Sequence, residues 1–109
     1  MNNNNFVKVA TTGEVQNSET KLKKVKPNVE LEICLAYAEG NFYAIGDICT
    51  HAGCSLSDGH LMGYEVECVC HGSKFDVRNG SVTTAPAVNP EQAYELKVEN
   101  DSILIKIPK

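Results

Sequence analysis

The chain has 109 residues, a length that suits one domain with a modest hydrophobic core. Apolar residues make up 42% and charged residues 22%, an ordinary globular composition that excludes the disordered class. The net charge of −4 excludes the strongly basic balance of a nucleic-acid binder, and no apolar stretch nears the ~18 residues of a membrane span.

Met1–Asn5 shows neither the basic nor the apolar region of a signal peptide. A soluble, cytoplasmic protein with a loose Asn-rich start is therefore expected. Phe6–Val9 reads as a first strand. Lys21, Lys23, Lys24 and Lys26 read as a solvated strand edge, where lysines discourage pairing between sheets. Leu31, Ile33, Leu35 and Tyr37 alternate with Glu30, Glu32, Cys34 and Ala36, which predicts a half-buried strand with Cys34 on its polar phase. Glu39–Asn41 turns the chain into Phe42–Ile45, and Glu65–Cys68 forms a short strand. Asn79-Gly80 matches a type I′ hairpin turn. Tyr94, Leu96 and Val98 alternate toward a turn at Asn100-Asp101, and Ile103, Ile105 and Ile107 return. No window of 11 or more residues carries a 3.6-residue period. The reading is one all-β domain over residues 1–109, a small antiparallel sandwich or barrel, with a loop subdomain over about 47–90.

That loop region holds the chemistry. Four of the five cysteines and two of the three histidines lie in two segments, Cys49-Thr50-His51-Ala52-Gly53-Cys54 and Cys68-Val69-Cys70-His71-Gly72-Ser73. Thiolate and imidazole together suit zinc or iron–sulfur chemistry. A structural zinc finger usually pairs Cys with Cys and His with His. Here each segment offers a C-x-H or C-x-x-H pattern, which fits a two-iron cluster with two Cys on one iron and two His on the other.

At these residues the chain resembles the Rieske [2Fe–2S] family. CTHAGCSLSDG and CVCHGSKFD are similar to its two cluster-binding boxes, and the likeness continues through Thr84-Ala85-Pro86-Ala87 and the last hairpin, as in small Rieske ferredoxins. The resemblance implies a Rieske fold and a [2Fe–2S] cofactor. It places Cys49 and Cys68 on the inner iron, and His51 and His71 on the outer iron at an exposed tip. Cys54 and Cys70 match the disulfide of the quinol-oxidising branch, a pair that most oxygenase-type Rieske ferredoxins lack, so a Cys54–Cys70 bond is expected, with two buried free thiols as the alternative. It also implies that the Ser73 hydroxyl can donate to a cluster sulfide. Phe75 stands where the high-potential branch usually carries Tyr, so a second such hydrogen bond is missing and an intermediate potential is expected. Pro86 would shape a third loop covering the cluster from one side.

The function implied is one-electron transport by a ferredoxin, between a flavin-containing reductase and an oxygenase or similar terminal enzyme. A monomer with weak, transient redox partners is expected. With four ligands assigned to the cluster only His60 remains, too few for a 2-His-1-carboxylate iron of the chain's own, so no catalytic site is expected. The alternatives are a component of a quinol-linked chain and a structural Cys2His2 zinc module. His60, Lys74 and Arg78 read as ordinary surface residues.

Overall fold

The computed structural model describes residues 5–50, 53–70 and 72–107. The expected loose Asn2–Asn4 lies outside them. Ten strands follow in order: β1 (Phe6–Thr11), β2 (Leu22–Asn28), β3 (Leu31–Ala38), β4 (Asn41–Gly46), β5 (His60–Met62), β6 (Glu65–Glu67), β7 (Lys74–Asp76), β8 (Val82–Thr84), β9 (Leu96–Glu99) and β10 (Ser102–Lys106). A short helix, α1 (Thr12–Gln16), follows β1, and a 3₁₀ turn spans Leu56–Asp58. The strands form three antiparallel sheets ordered β1-β10-β9, β2-β3-β4 and β5-β6-β7-β8.

β3 is the pivot. It pairs with β2 and β4, and its two faces enter two different cores. Ile33 and Leu35 meet Val15, Ile103 and Ile105 from the first sheet's side. Cys34, Ala36 and Ala38 meet Leu56, Val66, Phe75 and Val77 of the loop subdomain. The predicted polar phase is therefore absent: Ile33, Cys34, Leu35 and Ala36 are all buried. Small side chains on the subdomain-facing side let the two layers approach closely. Burial beside the Asp47 charge pushes the Cys34 thiol far above its ordinary range.

β2 does lie at a sheet edge, with Lys24 and Lys26 exposed. Two-residue loops join β3 to β4 and β9 to β10. Glu39 (φ 51°) and Gly40 (φ 87°) form one; Asn100 (φ 51°) and Asp101 (φ 68°) form the other. Paired positive φ values are what a type I′ turn requires. Asn79-Gly80 departs from its prediction, because only Gly80 (φ 82°) is left-handed and the loop runs over residues 77–81. Val77 is drawn inward and donates to the Tyr64 carbonyl at 2.8 Å, while the Asp76 carbonyl accepts from Gly80 N–H at 2.7 Å. Burying Val77 decides the wider turn. The helix α1 has only five residues, too few to show a helical period in the sequence, and its Val15 is fully buried.

Candidate metal centre

The two cysteine loops share one backbone frame, offset by nineteen residues. In the first, Cys49 N–H donates to the Cys54 carbonyl (2.8 Å) and Gly53 N–H donates to the Cys49 carbonyl (2.9 Å). In the second, Cys68 N–H donates to the Ser73 carbonyl (2.8 Å) and Gly72 N–H to the Cys68 carbonyl (3.0 Å). Gly53 and Gly72 take φ of 77° and 78°, a conformation that other residues adopt only with strain. The bridge Ile48–Ser55 closes the first loop as the pair Glu67–Lys74 closes the second. Each frame is then anchored by a fully buried side chain, Leu56 or Phe75.

Cys49 and Cys68 occupy the same frame position and are both buried. Cys54 and Cys70 are joined by a disulfide, with Cα atoms 6.4 Å apart. The sulfurs of Cys54, Cys68 and Cys70 lie within 4.8 Å of one another. The disulfide withdraws Cys54 and Cys70 from ligation, which leaves one buried thiol per loop. His51 and His71 lie outside the described residues. This donor set fits a cluster held by two thiolates and two imidazoles, and it does not fit an all-Cys site.

A third segment, residues 87–91, grips both loops. Ala87 N–H donates to Ser73 Oγ at 2.9 Å, and both residues are buried. Thr50 Oγ1 donates to the Asn89 carbonyl at 2.6 Å, and Thr50 N–H donates to Glu91 Oε2 at 3.1 Å. Because Ser73 Oγ accepts from Ala87, its own hydroxyl proton stays available for another acceptor. Pro86 precedes this segment and is exposed. Phe75 sits in the subdomain core, where an aromatic ring can only pack.

Sequence reasoning passed over two carboxyls. Asp47 is fully buried, its Oδ1 accepting from Ser57 N–H at 2.8 Å and its Oδ2 lying 3.7 Å from Lys24 Nζ. Glu91 is mostly buried. Desolvation pushes its carboxyl up to about 7; the Thr50 N–H opposes that rise and the Asp47 charge adds to it. Arg78 is occupied: its guanidinium binds Asp76 at 2.7 Å and lies over the Tyr64 ring at 4.0 Å. That hydrogen bond holds the Asp76 carboxyl below its ordinary range. His60 is exposed on β5 opposite Glu67.

The Rieske [2Fe–2S] domain profile matches residues 5–100. The ferredoxin component of the naphthalene 1,2-dioxygenase system of Pseudomonas putida is 38% identical over 76 residues, 70% of this chain and 73% of that protein. The ferredoxin of carbazole 1,9a-dioxygenase from Nocardioides aromaticivorans superposes with a TM-score of 0.83 at 31% identity, covering 95% of this chain and 98% of that one. A chain from the complex of reduced oxygenase and oxidized ferredoxin in carbazole 1,9a-dioxygenase superposes with a TM-score of 0.85 at 28% identity, covering 95% and 94%. Twin loops, matched sequence and matched architecture agree, and the chain belongs to the Rieske [2Fe–2S] domain family.

Proposed function

We propose that this protein is a one-electron carrier of an oxygenase system, taking electrons from a flavin-containing reductase and delivering them to a terminal oxygenase. The observation that carries this reading is the pair of matched loops, each offering one buried thiol outside the Cys54–Cys70 disulfide. Cys49 and Cys68 would hold one iron, and His51 and His71 the other. When bound, the cluster supplies reversible single-electron chemistry at a potential above that of all-Cys clusters. The disulfide ties the two loops together, Ser73 aims a hydroxyl proton, and the packed Phe75 fixes the frame of the second loop. The relatives named above are ferredoxin components of dioxygenase systems, which supports the same role. Val69 on the second loop and Val88 on the third segment are 52% and 82% exposed. Small exposed apolar groups of this kind suit a brief encounter with a redox partner.

No helix of the described residues is long and apolar enough to cross a membrane. The Cys54–Cys70 disulfide is the one feature that favours a quinol-linked chain, and Phe75 in place of Tyr opposes it.

The test is a potentiometric titration of the purified protein, followed by electron paramagnetic resonance. A midpoint of roughly −150 to 0 mV supports the ferredoxin role, and one near about +300 mV moves the protein to a quinol-linked chain. A colourless protein containing zinc overturns both.

A further inference from the structure

Glu91 is a carboxyl with no evident reason to be buried. It lies in the polar segment Asn89-Pro90-Glu91-Gln92, yet it is only 8% exposed. Its backbone N–H donates to the Gly80 carbonyl at 2.8 Å, and a side chain at Gly80 would collide with the Glu91 carbonyl. Its Oε1 packs against Gly46, where a Cβ would also collide with it. Its Oε2 accepts the Thr50 N–H, forty-one residues away in sequence. That N–H belongs to the peptide joining Thr50 to Cys49. The carboxyl is thus built into a fitted recess of glycines and aimed at the backbone of the first cysteine loop.

We propose that Glu91 is a positioning residue for the cluster: it fixes the Cys49–Thr50 peptide, and its negative charge lowers the reduction potential. The inference rests on the cluster-binding reading above. Two effects follow from one side chain and are separable. The hydrogen bond orders the loop whether or not the carboxyl is charged. The charge, held close to Cys49 in a poorly solvated recess, disfavours the extra negative charge of the reduced state. Asp47 adds to the same field from the end of β4, with its charge partly balanced by Lys24 of β2. Ser73 acts oppositely from the second loop, since a donated proton favours the added electron.

The experiment compares Glu91→Gln, Glu91→Ala and the exposed control Glu30→Gln at pH 8.5, well above the ordinary carboxylate range. Gln keeps an oxygen to accept the Thr50 N–H but removes the charge. At the potential that half-reduces the wild type, E91Q is expected to show a reduced-to-oxidised ratio about threefold higher or more, while E30Q matches the wild type. In the cluster-loaded proteins, hydrogen exchange of the peptide containing Thr50, read by mass spectrometry, should be accelerated in E91A and remain slow in E91Q. An E91Q midpoint equal to that of E30Q overturns the charge effect, and unchanged Thr50 exchange in E91A overturns the positioning. A wild-type protein without the signal of a reduced cluster overturns the parent reading and this inference with it. If E91A fails to fold, Glu91→Asp supplies the exchange test, because the shorter side chain withdraws its oxygen from Thr50.

Discussion

Ser73 Oγ and Ala87 N–H are joined by a buried 2.9 Å hydrogen bond that ties the second cysteine loop to the third segment. Ser73→Ala leaves the Ala87 donor buried and unpaired, at a cost of about 1–3 kcal/mol. It also removes the hydroxyl proton that would stabilise an added electron. The variant is expected to melt earlier and to have a lower reduction potential. Thermal unfolding and redox titration of the same preparation check both effects. A lower melting point with no change in potential would confine Ser73 to a structural role.

The Cys54–Cys70 bond closes a loop across a sequence separation of 16. Its removal in a Cys54→Ser/Cys70→Ser double variant is expected to cost about 3 kcal/mol and to speed cluster loss. Alkylation of the denatured, cluster-free and unreduced protein should label Cys34, Cys49 and Cys68 only, a result that mass spectrometry reads directly. Labelling at Cys54 and Cys70 would show that the protein as purified lacks the bond.

Acid and alkali act on two carboxyls in opposite senses. The folded pKa of Glu91 is raised from 4.5 to about 7, so its contribution is fully present below pH 4.5 and is lost as pH rises through 7. That contribution is on the order of 1–3 kcal/mol. The folded pKa of Asp76 is lowered from 3.8, so its contribution is present above that pH and is lost in stronger acid. Denaturant unfolding from pH 4.5 to 8 should therefore show falling stability in the wild type and a flatter profile in E91Q. Parallel profiles for the two proteins would contradict this assignment.

The ligand set predicts a sharp division among histidines. Cys49→Ser, Cys68→Ser, His51→Ala and His71→Ala should each abolish the visible absorption and the resonance of the reduced cluster, because each removes a proposed iron ligand. His60→Gln should retain both, since His60 is exposed on β5. Iron and sulfide analysis of the five variants decides the matter.

The hairpins of the framework were legible because each strand pair leaves local turn residues between runs of period two. Asn100-Asp101 adopts the paired left-handed geometry that its residue types favour. β3 was half legible. Its apolar positions Ile33 and Leu35 signal one buried face, but Cys34, Ala36 and Ala38 are small enough to look neutral while they bury the other. Asn79-Gly80 misled because a strong local preference yielded to the burial of Val77. The cysteine boxes needed no structure to be recognised, and the positions of His51 and His71 rest on sequence alone. Glu91 could not be found that way. Its partner Thr50 is forty-one residues distant, and no pattern in an Asn-Pro-Glu-Gln stretch announces a recess.

The two cysteine loops repeat one frame, yet the frame does not say which loop is which. In register, Cys54 corresponds to Ser73, His51 to Cys70, and Thr50 to Val69. Nothing in the twin hydrogen-bond pattern distinguishes them. What does is the third segment, which holds the first loop at Thr50 through Asn89 and Glu91 and the second at Ser73 through Ala87. Transposing the two loop sequences would keep their internal bonds but present Cys54 to Ala87 and Val69 to Asn89, so both hydroxyl grips would be lost and only the backbone N–H to Glu91 would remain. Loop identity is therefore conferred by a stretch of chain that supplies none of the proposed ligands.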